Sequence, residues 1–251
     1  MRSSHVSVAT GADKRSVYVV TEHLGRMVPV GELSFSNGRY VFGYTCGALH
    51  LGARTHVVPL PGLPNLTQRY QSKTLFPVFL AALDLHRADD LRAALRARRL
   101  DLDAADFLSM LAVPTRLHTP QMLVTVPSLR GDHEGAFRCR FFTPGPARSA
   151  PPIGALTVGQ LLRVNLVQAD GGKRRRVEIV TANGEFIDWL PEFLVAELVP
   201  VWRSGLSLRV ELLANESHAT ARDERLLIEL SGRWPDGYTP MQLLVFSPIV
   251  I

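Results

Sequence analysis

The chain has 251 residues, 46% of them hydrophobic, enough for one large core or two ordinary ones. A formal charge of +5 and an isoelectric point of about 9.6 favour polyanionic partners. Mean hydropathy is +0.08, yet no apolar run approaches the length of a membrane helix, and Met1 to Thr10 lacks the apolar core of a secretory signal. These features predict a cytoplasmic protein with a short disordered head and no membrane partner. Cys46 and Cys139 lie far apart and do not form a disulfide framework, which fits a reducing compartment.

In chain order, Val17 to Leu24 reads as a first strand and Val28 to Phe35 as a second. Asn37-Gly38 is a hairpin signal, and Arg39 to Tyr44 is the third strand, with Tyr40, Phe42 and Tyr44 on one side. A three-stranded antiparallel sheet is expected. His56 to Pro61 adds a short extended piece before the Pro61 to Pro64 loop. Leu75 to Leu83 predicts a helix with Pro77 in its first turn, where proline is tolerated. Asp89 caps a second helix over Asp90 to Leu100, and Asp101 or Asp103 caps a third ending at Leu111.

The stretches Val30-Gly31-Glu32-Leu33-Ser34-Phe35, Gly38 to Tyr44 and Val57-Val58-Pro59-Leu60 resemble the N-terminal subdomain of HipA-type kinases. The likeness covers residues from about 15 to 110, and the helix at Leu75 to Phe79 lacks that family's Asn, Pro and Glu. No kinase catalytic loop, Asp-Phe-Gly or Gly-rich phosphate loop follows. The resemblance implies a docking module for a protein partner such as a separate kinase or a DNA-bound repressor.

Met122 to Val126 is apolar enough for a strand, and Pro127, Gly131 and Gly135 break the chain beyond it. Two domains are therefore expected, 1–126 and 127–251. In the second, Phe137-Arg138-Cys139-Arg140-Phe141-Phe142 alternates. On a strand Arg138, Arg140 and Phe142 share one face, and Phe137, Cys139 and Phe141 the other. Leu156 to Val164 reads as a turn into a strand. Asp170-Gly171-Gly172 is hairpin chemistry, and it presents Lys173, Arg174, Arg175 and Arg176 just past its tip. Period two puts Arg174 and Arg176 opposite Lys173 and Arg175. Asn183-Gly184 is another turn, and Glu192 to Val201 a helix after Pro191. Ser207 to Leu213, Arg225 to Leu230 and Leu243 to Phe246 read as strands, and many short strands with one helix suit a small barrel.

Cations beside flat rings are what a groove for single-stranded nucleic acid needs, since cations track phosphates and rings stack on bases. The bland alternative is an ordinary half-buried strand with a solvated outer face and a wet basic turn. Trp189 reads equally as a core anchor or a stacking platform.

Arg140-Phe141-Phe142, Leu156-Thr157-Val158-Gly159-Gln160-Leu161-Leu162, Asp188-Trp189-Leu190-Pro191, Glu211 to Asn215 and Arg233 to Tyr238 together resemble a HIRAN domain, over residues from about 130 to 251. The resemblance implies an OB-like β-barrel with one or two helices that captures the 3′ end of single-stranded DNA, Arg140 being its strand-gripping arginine. The Asn-Pro-x-Asp-x-x-Ala loop that helps form that family's end pocket is replaced by the Gly-Gly-Lys-Arg-Arg-Arg hairpin, and Asp188 stands where glycine is usual. Generic strand binding is thus the first inheritance expected, with capture of DNA 3′ ends as the narrower one.

The resulting fold class is α+β and β-rich: a small antiparallel sheet with helices, then an OB-like HIRAN barrel. The expected nucleic-acid-binding residues are Arg138, Arg140, Phe142, Lys173, Arg174, Arg175, Arg176 and Trp189, with single-stranded DNA or DNA ends as partner. The alternative is a regulatory protein of a HipA-type toxin–antitoxin system with no direct DNA role. No Walker loop, HExxH, GxSxG or CxxC occurs, so no enzyme and no cofactor is expected. Cys46, His50 and His56 have zinc-ligand chemistry but lack a fourth ligand at standard spacing, so no metal site is expected either.

Overall fold

The computed structural model describes residues 15–24, 26–52, 58–85, 94–100, 107–143, 156–169, 174–215 and 225–249. The expected disordered head, the Asp89 cap, both candidate caps at 101 and 103, His56 and Lys173 lie outside them. The chain is α+β and strand-rich, with two six-stranded antiparallel sheets. The first contains β1 (Arg15–His23), β2 (Arg26–Ser36), β3 (Arg39–Tyr44), β4 (Tyr70–Ser72), β5 (Thr115–Arg116) and β6 (Leu123–Pro127), in the order β4-β3-β2-β1-β6-β5. The second contains β7 (Ala136–Thr143), β8 (Leu161–Ala169), β9 (Arg174–Val180), β10 (Phe186–Trp189), β11 (Arg209–Asn215) and β12 (Leu226–Arg233), in the order β10-β9-β8-β11-β12-β7. The helices are α1 (Cys46–Gly52), α2 (Pro77–Ala82), α3 (Phe107–Leu111) and α4 (Glu192–Arg203), besides a helical turn over 94–97.

Local chemistry explains the strongest elements. Asn37 and Gly38 both take positive φ, 52° and 72°, and Ser36 pairs with Arg39, as a two-residue hairpin turn requires. Pro77 opens α2 at its first turn, where its missing N–H costs nothing. In α4, Leu194, Leu198 and Val201 recur at helical spacing and are fully buried.

β1 is apolar on both faces. Val17 and Val19 enter a core with Leu33, Phe42, Phe79 and the helices α1 to α3. Tyr18 and Val20 enter a second core with Val126, the α4 leucines and the inner face of the second sheet. The first sheet is therefore a wall between two cores. The second sheet curls around α4 into a half-barrel, and the Thr143 hydroxyl donates to the Asp188 carboxylate, joining its two edge strands. Asp188 thus supplies the acceptor at this seam.

The chain leaves the first sheet after Pro127. Trp234 holds the crossing segment by stacking on Phe137 at 4.1 Å and donating its indole N–H to the Leu129 carbonyl at 2.8 Å.

The expected last strand at Leu243 to Phe246 is instead a 3-10 helical turn, Leu244–Phe246. Its N–H groups are satisfied locally, Phe246 by Leu243 and Ser247 by Leu244, so no ladder forms. Beyond it Pro248 bridges to Thr45, the Cys46 N–H donates to Ser247, and the Ile249 N–H donates to Tyr44. The end of the second half thereby returns to the first sheet. Residues 58–60 of the expected extended piece form no strand, while α1, β4 and β5 lack a sequence signal strong enough to predict them.

Tyr44 shows how the loop after α1 is held. Its hydroxyl donates to the Leu63 carbonyl and accepts from the Leu60 N–H, both at 2.7 Å, and burial pushes its pKa up to about 12. Tyr44→Phe leaves two buried backbone groups unpaired and should cost about 1–3 kcal/mol in urea unfolding. The unfolded phenol releases its proton near 10 and the folded one near 12, so this contribution is complete below pH 10 and lost as pH rises toward 12. The wild-type advantage over Tyr44→Phe should shrink across that window; an advantage independent of pH would contradict the burial of this hydroxyl.

Candidate functional site

β7 has the expected alternation. Phe137, Cys139 and Phe141 are buried in the second core, while Arg138 is exposed and Arg140 and Phe142 are half-buried on the outer face. Burial and then the Glu229 carboxylate push the Cys139 thiol far above its ordinary range, so it stays protonated and unreactive.

The outer face of β7 is already occupied by its neighbours. Glu229 on β12 lies opposite Arg140 on one side and opposite Glu211 on the other. Facing carboxylates repel, and arginines neutralise them. Arg140 Nε lies 2.8 Å from Glu229, Arg138 Nε lies 3.3 Å from its other oxygen, and Arg209 holds Glu211 at 2.7 Å. The Arg140 guanidinium also donates to the carbonyls of Arg98 and Arg99, at 3.2 and 2.5 Å. Those carbonyls end the helical turn over 94–97, where Arg99 takes φ 52° and the Leu100 N–H reaches back to the Leu95 carbonyl. A left-handed residue after the last turn leaves helix-end carbonyls in need of donors. Arg140 thus ties the first half of the chain to the second sheet. Phe142 packs on Val113, Leu213, Ala214 and Leu227, with the Arg98 guanidinium 5.9 Å from its ring centroid.

The hairpin cations stand differently. β8 and β9 pair as far as Ala169 with Arg174, so the basic run does continue from a hairpin. The Arg174 side chain and Lys173 lie outside the described residues. Arg176 places its guanidinium 5.0 Å over the Trp189 ring, and Trp189 meets Phe186 edge-on at 5.2 Å. Trp189 and Phe186 are half-buried, neither sealed in the core nor fully free. The register puts Arg163, Asn165 and Val167 of β8 on this same outer face, together with Glu178, which offsets part of the positive charge. Arg163, Arg175 and Arg176 form no ion pair among the described residues, in contrast to Arg138 and Arg140.

Of the expected site, Arg176 and Trp189 come together directly. Phe142 adjoins Thr143 and Trp189 adjoins Asp188, so the two rings flank the seam where the sheet edges meet. Arg140 and Arg138 point along the outer face toward Glu229, and Arg175 lies on the core side of β9, at the edge beside α4. Arg163 and Phe186 belong to the surface but were not singled out in the sequence, because only strand pairing shows that they share a face. Among the described residues, no group of three or more His, Cys, Asp or Glu side chains is placed to hold a metal ion. No protein-family model and no curated protein matches the chain.

Arg140→Ala should leave Glu229, only 13% exposed, with Arg138 alone as its ion-pair partner and two helix-end carbonyls without the Arg140 donor, lowering stability by about 2 kcal/mol in urea unfolding. A double-mutant cycle with Glu229→Gln should give a coupling of at least about 0.5 kcal/mol. Additive effects would mean that the pair does not brace the two halves.

Proposed function

We propose that the chain binds single-stranded nucleic acid, DNA or its ends, across the outer face of β8, β9 and β10. The observation that carries this reading is the Arg176 guanidinium stacked over Trp189 beside Phe186, at the base of a hairpin whose described cations lack carboxylate partners. Flat rings stack on bases of any identity, and unpaired cations beside them neutralise phosphates. The HIRAN resemblance of this half supports the same reading. Within it, Trp189, Arg176, Phe186 and Arg163 make the contact. Arg140 positions the sheet, and its ion pair with Glu229 competes with any phosphate.

A second reading has its own support. Leu49 on α1 is 48% exposed, and Leu243 and Leu244, in the segment packed against α1, are 69% and 75% exposed. Exposed leucines gathered around α1, from both halves of the chain, suit a protein partner. The two roles are compatible, as an adaptor between a strand and a protein.

Anisotropy of a labelled single-stranded oligonucleotide tests the strand reading on the full chain. Binding should weaken steeply with salt, and Trp189→Ala should cost roughly 1–3 kcal/mol, with Arg176→Ala reducing the salt slope. Matched oligonucleotides with free and blocked 3′ ends should bind alike. No binding at low salt, or equal affinity for wild type and the Trp189→Ala/Arg176→Ala double variant with an unchanged melting temperature, would overturn the assignment.

A further inference from the structure

Alternation along β9 sends Arg176 to the outer face and Arg175 to the other side. There the end of the hairpin faces the C-terminal turn of α4 across a half-open cleft of about 360 Å³, lined by Leu166, Gln168, Arg175, Val199, Trp202 and Arg203. The volume lies in the range of small-molecule sites. Two of the lining residues are arginines from separate elements, exposed and without an ion-pair partner among the described residues. Among the described residues, none that lines the cleft is acidic. Gln168 lies directly opposite Arg175 in the β8–β9 register, and Leu166 is 47% exposed. Trp202 is half-buried, its ring packed in part against the second core.

The chemistry of these groups is specific in combination. Two guanidiniums lining one cleft match a phosphomonoester dianion, which accepts several charge-assisted hydrogen bonds at once. An indole sharing the cleft with Val199 and Leu166 offers a flat apolar wall for an aromatic ring. The Gln168 amide offers a donor and an acceptor to the edge of a heterocycle. One effect opposes an anion here: α4 ends at the cleft, and a helix C-terminus carries about half a negative charge. The Ser204 and Gly205 N–H groups already bond to carbonyls of that last turn, at Pro200 and Trp202. Two full positive charges outweigh what remains.

The geometry points to a binding site for a nucleoside monophosphate, either free or as the 5′-phosphorylated end of a strand. Arg175 and Arg203 hold the phosphate, Trp202 stacks on the base, and Gln168 reads its edge. The site lies on the opposite side of the hairpin from Trp189 and does not depend on strand binding there.

Calorimetric titration of the full chain with adenosine 5′-monophosphate tests it. Saturable binding is expected, with adenosine and inorganic phosphate each binding more weakly than the nucleotide. Arg175→Gln and Arg203→Gln should each weaken binding about ten-fold. Trp202→Phe should retain binding while removing the accompanying quench of tryptophan fluorescence. In a Trp189→Ala background, tighter binding of a 5′-phosphorylated than of a 5′-hydroxyl oligonucleotide would support the site with a strand end as its source. Equal binding of the two, with nucleotide binding intact, would support it with a free nucleotide. No saturable binding up to millimolar nucleotide, or equal affinity in wild type and both arginine variants, would overturn it. Because the strand reading is decided at Trp189 and Arg176, the two can fail separately.

Discussion

The structure depends on a single strand that is buried on both sides. Along β1, Val17 and Val19 face one core while Tyr18 and Val20 face the other, and all four are at most 3% exposed. Burying such side chains contributes about 1.5–3 kcal/mol each, so β1 stabilises both halves at once. β6 repeats the arrangement beside it, with Leu123 in the first core and Val126 in the second. A change at this wall is felt on both sides, and neither core is complete without it. The returning segment after the 3-10 turn strengthens the union, since Ile249 packs into the first core while Phe246 meets Tyr18 edge-on at 5.0 Å.

Against this wall, the distribution of arginines acquires meaning. An arginine opposite a carboxylate on the neighbouring strand is a structural brace, as Arg140 is to Glu229. An arginine opposite valine, as Arg176 is to Val167, finds no such partner and settles on an indole. Both are arginines on the outer face of the second sheet. The residue across the ladder decides which cation remains available to a ligand.

The β8–β9 hairpin carries two chemistries back to back. Its outer face sets Arg163 and Arg176 on the same side as the β10 rings Phe186 and Trp189. The other face meets α4 at the half-open cleft that Arg175 lines. Both arise from the period of two along a strand, which separates neighbouring arginines onto opposite surfaces.

Much of the strand pattern was legible in the sequence. The Asn37-Gly38 turn, the alternation of Phe137 to Phe142 and the helical spacing in α4 are local signals, carried by turn chemistry and by periods of two and 3.6. The two- and three-residue strands β4 and β5 are too short to show a period, and the apolar run at Leu243 to Phe246 closes on itself between prolines rather than joining a ladder. Site availability was legible only in part. The sequence determined which residues carry charge and which carry rings, because those are properties of single side chains. Only the tertiary structure decided that Glu229, 89 residues away, engages Arg140, that Arg163 shares a face with Trp189, and that Trp202 and Arg203 line one cleft with Arg175. Pairing across strands and packing of a helix on a sheet are set by the whole fold, and no short stretch of chain contains them.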